Sequence, residues 1–387
     1  MVTNKGYLFI SNGRVVPKEQ EDSMEPVPVS SFEAPSIWAA NQLGMKLYMG
    51  INRTYASQLK SKEYEVTFYN QHIYRNIFDV KSIFIGYKNL CHFLDEHQDI
   101  EVVHCNTPIG GVLGRICGKK YHKKVIYMAH GFHFYKGAPL LNRTVFKYIE
   151  KWMAHKTDCL ITINQEDYEA AQKFKLNKGG KVYKVNGVGV DLNSFEGIHI
   201  NVEAKRQSLG LPKDVIVGIV VGDLNKNKNV ETIIRALSLV DENIHLLICG
   251  FGPLEPKLRE LSQTVGVAER CHFLGYRTDM KELYLASDMF IFASQREGLP
   301  RSTMEAMLAG LPCVVSQIRG NVDLIIPQRG GMLIPFKDVD SYAGAMSTLA
   351  LNPELRKIYG EFNKERIREF DINLVKQQML EIYQEIL

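Results

Sequence analysis

Residues 288–315, DMFIFASQREGLPRSTMEAMLAGLPCVV, decide the fold, because they place a helical stretch between two apolar runs of strand length. The runs DMFIFA and LPCVV have the length of buried strands. Gly298 permits a tight loop, Pro300 suits a first helical turn, and Gly310 stands where a helix ends. The stretch therefore predicts a strand, a loop, a helix from about Pro300 to Ala309 and a second strand.

Two glutamates bracket the start of this helix: Glu297 lies in the loop before it and Glu305 lies inside it, with seven residues between them. A helix start has free backbone N–H groups and attracts anions such as phosphate. Carboxylates that touched a phosphate would repel it, so we expect their partners to be hydroxyl groups on either side of the phosphates. A nucleotide sugar has that shape. A solvated glutamate at a helix start is an equally good interpretation of these residues alone.

The composition describes a globular chain of 387 residues, with 45% hydrophobic and 23% charged residues, long enough for two domains. No segment approaches the roughly 18 uninterrupted apolar residues of a membrane-spanning helix. The N-terminal MVTNKGYLFISNG predicts a first strand rather than a signal peptide. The seven cysteines are scattered without metal-ligand spacing, which indicates reduced thiols. We therefore expect a cytoplasmic protein.

Positive charge is concentrated in the first half: residues 1–195 hold 25 Lys and Arg against 18 Asp and Glu, and the remainder holds 22 against 25. Much of the excess lies between Arg115 and Lys151. Apolar residues beside these cations could share one helical face: Leu140, Leu141, Val145, Ile149 and Trp152. This pattern predicts binding to an anionic membrane surface through the basic first domain. A core helix with a solvated basic face explains it about as well. Nucleic-acid binding is not expected, because the aromatic and basic motifs of the common modules are missing.

Strand-like runs alternate with helical stretches along most of the chain, which predicts an α/β fold with parallel sheets covered by helices. The predicted strands are YLFIS, EVTFY, IEVVHC, KVIYMAH, CLITIN and KVYKV in the first half, and VIVGIVV, IHLLICG, CHFLG, MFIFAS and PCVVS in the second. The alternation occurs twice, so we expect two Rossmann-like domains.

The alternation lapses at residues 189–212, which predicts the boundary between the domains. The predicted ranges are 1–195 for the first domain, 196–370 for the second, and 371–387 for a terminal helix that could pack back on the first domain. A Pro- and Glu-rich excursion at residues 17–34 predicts a long loop.

Ligands of such sheets bind beyond the carboxyl ends of the strands. In the second half these ends carry residues 222–229, 250–253, 275–280 and 294–300. Lys226 and Lys228 can neutralise a diphosphate there, and Gly250 and Gly252 let a backbone come close. Each feature alone is also compatible with an ordinary turn. In the first half, the loops 104–111 and 129–137 lead us to expect His104, His130 and His133 near strand tips.

The chain resembles glycosyltransferase family 4, the retaining GT-B enzymes, and within it the bacterial enzymes that build capsular, exopolysaccharide or O-antigen repeat units. The resemblance is carried by VVHCNTPIGGVLGR, AHGFHFYKGAP, LITINQEDYEAA, GVGVDLNSF, FLGYRTDM and EGLPRSTMEAMLAGLPCVVS. It implies a GT-B fold with two Rossmann-like domains facing each other across a cleft. The implied reaction transfers a sugar, with retention, from a nucleotide diphosphate donor to an acceptor. The implied nucleotide is UDP, and the implied acceptor is a polyprenyl-diphosphate-linked saccharide at the inner face of the cell membrane.

The resemblance also implies roles for single residues. Glu297 would bind hydroxyls of the donor sugar, Glu305 would hold the ribose diol, and Lys228 would bind the diphosphate. His130 matches the histidine lining the catalytic cleft, so the implied catalytic residues are His130, Lys228 and Glu297. The other implied donor-binding residues are Gly222, Lys226, Gly250, Gly252, Tyr276, Arg277, Gly298, Leu299 and Arg301. The implied residues of the acceptor side or cleft are Asn106, Thr107, Gly110, Gly111, Gly131 and His133.

The chain departs from the family pattern in two places. Asp223 stands where many members have an arginine, so neutralisation of the phosphates would rest on Lys228 with Lys226 or Arg301. The first 57 residues lack the usual glycine-rich first loop. No cofactor and no metal ion is expected, because the single Asp-x-Asp sequence, Asp338 to Asp340, suits a helix cap better. A UDP-sugar 2-epimerase and a non-catalytic nucleotide-binding assembly subunit remain the alternatives.

Overall fold

The computed structural model describes residues 5–10, 22–74, 76, 78–106 and 108–387. The chain forms two compact units, one of residues Met1–Val188 together with Ile372–Leu387, and one of residues Gly189–Asp371. Each unit is an α/β structure built on one parallel sheet. The predicted α/β class with two Rossmann-like units is confirmed.

The bounds of the regular elements are as follows. The strands are β1 (Gly6–Ile10), β2 (Lys46–Ile51), β3 (Val66–Asn70), β4 (Ile100–Asn106), β5 (Lys124–Ala129), β6 (Cys159–Thr162), β7 (Lys181–Lys184), β8 (Ile216–Val221), β9 (Ile244–Cys249), β10 (Cys271–Gly275), β11 (Met289–Phe292), β12 (Cys313–Ser316) and β13 (Gly331–Ile334). The helices are α1 (Ala34–Gln42), α2 (Val80–Glu96), α3 (Ile109–Lys120), α4 (Lys147–Ala154), α5 (Gln165–Ala171), α6 (Val202–Ser208), α7 (Val230–Leu237), α8 (Glu255–Thr264), α9 (Met280–Leu285), α10 (Arg301–Leu308), α11 (Asn321–Leu324), α12 (Val339–Leu351), α13 (Pro353–Arg366) and α14 (Ile372–Ile386). Short 3₁₀ turns occupy Ala56–Gln58, Leu192–Phe195, Ala268–Arg270 and Ile367–Phe370, and a π-helical segment, Asn142–Phe146, leads directly into α4.

The sheet of the first unit has seven strands in the order β3-β2-β1-β4-β5-β6-β7. All neighbouring strands are parallel. Every residue of β1 is buried, because helices cover both faces of the sheet. The strand order reverses between β1 and β4, which opens a crevice at their carboxyl ends.

The sheet of the second unit has six parallel strands in the order β10-β9-β8-β11-β12-β13. Its order reverses between β8 and β11. The core of this unit packs the apolar residues of α7 and α12 against the sheet, among them Ile233, Leu237 and Met346, all fully buried. This packed core fixes the positions of β8 and β11, and the crevice lies at their carboxyl ends.

Two strands were not predicted from the sequence, β2 with the sequence KLYMGI and β13 with the sequence GMLI. β2 lies between β1 and β3, and β13 is an edge strand of four residues. β2 begins with a lysine and β13 has only four residues, so neither is a clear strand in the sequence. Their strand conformation comes from pairing with neighbours that are distant in sequence.

Segments at both ends of the chain complete the first unit. The predicted loop at 17–34 lies partly outside the described residues, and its part from residue 22 to residue 33 contains only an isolated bridge between Val27 and Ser61. The terminal helix α14 packs against α1. Its Tyr383 is fully buried and reaches the side chains of Tyr7 and His104.

Candidate active site

The second unit has a crevice where its strand order reverses. β8 and β11 are neighbours there, with Met289 opposite Gly218. The loop after β8 contains residues 222–229, and the loop after β11 contains residues 293–300. Open parallel sheets bind ligands at such a position. Most of the predicted donor-binding residues lie in these two loops or beside them.

Lys228 and Glu297 form an ion pair that joins the two loops. Lys228 Nζ lies 2.7 Å from Glu297 Oε1, and Ser294 Oγ donates a hydrogen bond of 2.6 Å to the same oxygen. The two charged side chains are only 20% and 15% exposed. An ammonium group has three donor positions, so Lys228 keeps donors for a further ligand. The structure thus brings two of the predicted catalytic residues together and adds Ser294, which the sequence analysis did not single out.

Asparagine side chains shape the loop that carries Lys228. Asn225 Oδ1 accepts hydrogen bonds from the backbone N–H groups of Asn227 and Lys228, at 2.9 and 3.1 Å. Asn229 has a left-handed backbone, with φ of 53°, and donates from Nδ2 to the carbonyl of Ala293. Asparagine favours such turns because its short polar side chain bonds the backbone. The alternating asparagines in LNKNKN were the available signal for this role.

Glycines allow the loops after β8 and β9 to touch. Gly222 and Gly250 have φ of 146° and 140°, which side chains rarely adopt. A Cβ at Gly222 would lie 3.0 Å from Lys228 Cε, and one at Gly250 would collide with the carbonyl of Gly222. A Cβ at Gly252 would lie 2.5 Å from the carbonyl of Leu224. Gly250 and Gly252 therefore make room for the backbone of the loop after β8, at Gly222 and Leu224.

The last residue of β12 and residues just after it support the loop that carries Glu297, and the sequence analysis missed them. Arg319 is only 4% exposed and donates from Nε to the carbonyl of Glu297 at 3.0 Å. Ser316 Oγ donates to the carbonyl of Ser294 at 2.6 Å, and Asn321 Nδ2 donates to the carbonyl of Ser316 at 2.9 Å. Their polar character directly after an apolar strand was the available signal.

Glu305 lies on α10 and makes different contacts from Glu297. Arg301 Nε donates to Glu305 Oε1 at 2.9 Å, and the Tyr284 hydroxyl donates to Glu305 Oε2 at 3.4 Å. The side chains of Arg301 and Glu305 are 44% and 26% exposed. The carboxylate is thus held on the helix by one residue of its own turn and by one buried tyrosine.

The start of α10 leaves backbone N–H groups available. The helix begins at Arg301, one residue later than predicted, because Pro300 still has an extended backbone with ψ of 120°. Pro300, at the position before the helix, supplies no side-chain cap. Gly298 and Leu299 lie in the preceding loop, and a Cβ at Gly320 would lie 2.5 Å from the carbonyl of Gly298. A helix start of this kind offers backbone N–H groups to an anion.

The loops after β9 and β10 carry two exposed aromatic residues. Phe251 is 60% exposed and Tyr276 is 76% exposed, with an edge-to-face contact at 6.4 Å between ring centroids. Arg277 donates from Nε and from a terminal nitrogen to the carboxylate of Asp279. Its guanidinium is thus already paired. The ring of Tyr276 is therefore accessible to a ligand, while the guanidinium of Arg277 is bonded to Asp279 within the same loop.

Lys226 and Asp223 are both exposed side chains of the loop after β8. The carbonyl of Lys226 accepts a hydrogen bond of 2.8 Å from Gln295 Nε2, which is a further link between this loop and the loop after β11. The predicted role of Lys226 in binding the diphosphate stays a prediction.

His130 follows β5 in the first unit and is the predicted cleft histidine. Both of its ring nitrogens are buried, and neither has a hydrogen-bond partner among the described residues. The ring has an edge contact with Phe32 at 5.8 Å between centroids. Burial lowers the pKa of His130 to about 4, so the imidazole is neutral near pH 7. Buried polar atoms without partners mark positions where a polar ligand or water belongs.

His104 was predicted near a strand tip, and it lies two residues before the carboxyl end of β4. β4 continues to Asn106, so His104 lies within the strand and is fully buried. Its Nδ1 lies 2.7 Å from the hydroxyl of Tyr7 and 2.7 Å from the hydroxyl of Tyr383. Burial, with a smaller effect of His130, lowers the pKa of His104 to about 3. The residue thus links β1 and β4 to α14.

The other predicted acceptor-side residues lie around the start of α3 and the loop after β5. Asn106 ends β4, and its Oδ1 is buried without a partner among the described residues. Gly110 and Gly111 are buried in the first turn of α3, while Thr107 lies outside the described residues. Gly131 directly follows His130 and has φ of 137°. His133 packs against Phe146, with ring centroids 5.1 Å apart.

The described part of the chain contains no group of three or more His, Cys, Asp or Glu side chains placed to hold a metal ion. Asp338 caps α12 instead: its Oδ1 accepts the backbone N–H of Ser341 at 3.1 Å. None of the described helices is long and apolar enough to cross a membrane.

Two family models match the chain. The model described as Glycosyltransferase Family 4 matches residues 54–192, and the model described as Glycosyl transferases group 1 matches residues 201–366. The first match covers the first unit up to Val188 and extends four residues beyond it, and the second match falls within the second unit. The fold and the two loops of the second unit thus define a glycosyltransferase of the GT-B class.

Named relatives agree with this class. The putative glycosyltransferase EpsD of Bacillus subtilis is 31% identical over 360 residues, which cover 91% of this chain and 92% of that protein. The UDP-Gal:alpha-D-GlcNAc-diphosphoundecaprenol alpha-1,3-galactosyltransferase of Escherichia coli is 32% identical over 275 residues, which cover 69% of this chain and 70% of that protein. The chain therefore belongs to glycosyltransferase family 4, as predicted, and is a glycosyltransferase. The epimerase and non-catalytic alternatives are not favoured.

Solved structures share the fold at low sequence identity. Sucrose-phosphate synthase of Thermosynechococcus elongatus has a TM-score of 0.80 at 18% identity, covering 98% of each chain. HepE of Anabaena, solved in complex with UDP and glucose, has a TM-score of 0.76 at 18% identity, covering 98% of this chain and all of that one. These similarities confirm the GT-B fold class.

Proposed function

We propose that the chain transfers a sugar, with retention and without a metal ion, from a UDP-sugar to a polyprenyl-diphosphate-linked saccharide. The reaction would take place at the inner face of the cell membrane, in the synthesis of a bacterial surface polysaccharide. One relative and one protein of known structure support this choice of substrates. The Escherichia coli relative is named for UDP-Gal and a diphosphoundecaprenol-linked sugar, and HepE was solved with UDP and with UDP-glucose.

The observation that carries the proposal is the ion pair of Lys228 and Glu297 at the crevice of the second unit. Lys228 and Ser294 both bond Glu297 Oε1, so the carboxylate is oriented with Oε2 left for another donor. A sugar hydroxyl is such a donor, and the remaining hydrogens of the lysine ammonium suit diphosphate oxygens. One pair of side chains can thus hold both parts of a nucleotide sugar.

The proposed mechanism relies on electrostatic stabilisation of the leaving group. The bond between the anomeric carbon and the β-phosphate oxygen breaks, and negative charge develops on the departing diphosphate. Lys228 and the uncapped start of α10 stabilise that charge. The acceptor oxygen bonds the anomeric carbon on the same face, and the departing phosphate oxygen takes the hydroxyl proton. These reaction steps need no carboxylate nucleophile and no metal ion.

The acceptor would use the crevice of the first unit. Buried polar atoms without partners among the described residues come together at the ends of β4 and β5: Asn106 Oδ1 and both ring nitrogens of His130. A neutral imidazole can donate one hydrogen bond and accept another, which suits a sugar hydroxyl. His130 is therefore proposed to position the acceptor hydroxyl.

Membrane attachment is proposed through the helix that ends in Ala154. The side chains of Leu140, Leu141, Tyr148 and Trp152 are 76%, 67%, 71% and 60% exposed, and this apolar face lies beside exposed cations. Such a helix can lie in the headgroup region of an anionic bilayer.

The predicted basic region needs one correction, because Arg115 is fully buried. Its terminal nitrogen lies 2.7 Å from Glu150 Oε2, and its guanidinium stacks on Tyr127 at 3.8 Å from the ring centroid. The Tyr127 hydroxyl donates to Glu150 Oε1 at 2.8 Å. Arg115 therefore anchors α4 to the core and cannot contact lipid.

UDP release tests the proposal directly. The assay would supply a panel of UDP-, GDP- and ADP-sugars, with and without GlcNAc-diphosphoundecaprenol, the acceptor in the name of the Escherichia coli relative. We expect release only with a UDP-sugar and the acceptor, unchanged by a chelator, and an anomeric configuration in the product equal to that of the donor by NMR coupling. Release, without acceptor, of UDP and a free sugar that is the C2 epimer of the donor sugar would instead identify an epimerase. Inversion, or dependence on a divalent cation, would contradict the proposed mechanism.

A further inference from the structure

A cavity of about 250 Å³ lies in the first unit, beside the carboxyl ends of β5 and β6. Its walls are the loop after β5, the helical run that includes α4, and the start of α5. Three cationic side chains line it, Lys136, Arg143 and Lys147. None of the site residues predicted from the sequence belongs to this lining.

The three cations face the cavity without acidic partners. Among the described residues, no ion pair or side-chain hydrogen bond involves the charged group of Lys136, Arg143 or Lys147. Arg143 and Lys147 are four residues apart on one helical run, so they share a face. Neighbouring like charges repel, and an anion between them removes that repulsion. The arrangement is therefore suited to a multivalent anion.

The two carboxylates of the lining have structural tasks. Asp167 Oδ2 accepts the backbone N–H of Phe132 at 3.1 Å and Asn164 Nδ2 at 2.9 Å. Glu166 Oε1 accepts the backbone N–H of Lys136 at 2.7 Å. These bonds hold the loop after β5 in the position that brings Lys136 to the cavity. The three cations still outnumber the two carboxylates.

The surroundings of the cavity indicate what the anion is joined to. The same helical run that supplies Arg143 and Lys147 also presents exposed Leu141, Val145 and Trp152, which suit a hydrocarbon chain or bilayer. The loop that carries Lys136 begins with His130, the proposed site of the acceptor hydroxyl. A ligand with an apolar tail, an anionic group and a sugar would match these three features.

We propose that this cavity binds the diphosphate of the lipid-linked acceptor, an inference that rests on the proposed function. A diphosphate ester carries two charged phosphoryl groups, which three cations can hold. Arginine bonds phosphate with two parallel N–H groups, and lysine acts as a compact charge beside it. The site would fix the acceptor by a group that every such lipid carries, whatever its saccharide.

Calorimetry with water-soluble probes tests the site without relying on sugar transfer. The probes are geranyl diphosphate, geranyl monophosphate and inorganic pyrophosphate. The parent protein is Lys228→Ala, which removes the proposed phosphate-binding lysine of the second unit. We expect geranyl diphosphate to bind this parent at least about tenfold more tightly than the monophosphate, a difference of about 1.4 kcal/mol. Pyrophosphate should bind more weakly than geranyl diphosphate, because it lacks the apolar tail.

The decisive variant adds Arg143→Gln and Lys147→Gln to the parent, and the control adds Lys151→Gln. Lys151 lies one turn further along the same helix and does not line the cavity. The double change should weaken geranyl diphosphate binding at least about tenfold, while the control should change it less than about threefold. Circular dichroism would verify folding of all variants, since the changed side chains are exposed.

Three results would overturn the inference: no binding of geranyl diphosphate by the parent, unchanged affinity in the double variant, or equal weakening in the Lys151→Gln control. The last would mean diffuse attraction to the basic surface. Because binding is measured without a donor, the outcome is independent of the UDP-release assay. Diphosphate binding without transfer would contradict the proposed function and leave the cavity assignment standing.

Discussion

Replacing Glu305 by alanine tests the division of roles between the two glutamates. The change should leave the fold intact, because Arg301 and Glu305 form a partly exposed pair within one helix, with 44% and 26% exposure. Such pairs contribute only about 0.3 to 0.5 kcal/mol. The Tyr284 hydroxyl, 3.4 Å from the carboxylate, keeps a second acceptor in the carbonyl of Ser302 at 3.3 Å. A loss of function in this variant would therefore report on the ligand.

The expected loss concerns UDP affinity, because the proposed partner of Glu305 is the ribose diol. A hydrogen bond to a charged group contributes about 1.5 to 3 kcal/mol, so the dissociation constant should rise about 10- to 150-fold. Calorimetry with UDP measures it. The matched control is Glu365→Ala, which breaks the exposed ion pair of Glu365 with Arg368 in the same unit. Unchanged UDP affinity in folded Glu305→Ala protein would refute the ribose assignment.

Three further changes test other parts of the structure. Glu297→Ala should keep UDP affinity within about threefold but abolish most sugar transfer, because the proposed contact of Glu297 is with the sugar. Equal losses of UDP affinity in the Glu297→Ala and Glu305→Ala variants would show that the two roles are wrongly divided. His130→Asn should flatten the pH dependence of the unfolding free energy. The pKa of His130 is about 4 in the folded protein and 6.5 ordinarily, so the wild-type protein loses stability as the pH falls from 6.5 to 4. Urea unfolding at several pH values measures this, and identical slopes would count against a buried neutral imidazole. The double change Leu141→Glu and Trp152→Glu should reduce co-sedimentation of the protein with phosphatidylglycerol vesicles. The control Leu351→Glu should not reduce it, because Leu351 is a similarly exposed leucine of the second unit. Equal effects of the double change and the control would argue against a specific membrane face.

Local patterns in the sequence were sufficient for the fold class and for many candidate site residues. Buried strands of parallel sheets are nearly continuous apolar runs, and glycines and polar loops mark their ends. Lys228 and Glu297 each follow such a run, so the sequence alone indicates that both lie at the ligand-binding edge. The family resemblance supplied their expected roles, because it covers the loops after β8 and β11.

The tertiary structure decided which of these residues meet. Lys228 and Glu297 are 69 residues apart and pair because β8 and β11 are neighbours, a consequence of strand order that no local pattern contains. The contacts of His104 with Tyr7 and Tyr383 were not visible in the sequence, because these partners are 97 and 279 residues away.

Support of the site also depended on long-range packing. Arg319 bonds the carbonyl of Glu297 only because β12 lies beside β11, and Tyr383 reaches His104 only because α14 returns to the first unit. A residue's type shows which bonds it can make, but its partner depends on which distant segments share a sheet edge or a core. The sequence therefore determined the chemistry available to this glycosyltransferase, and the strand order and packing within each unit decided where that chemistry is brought together.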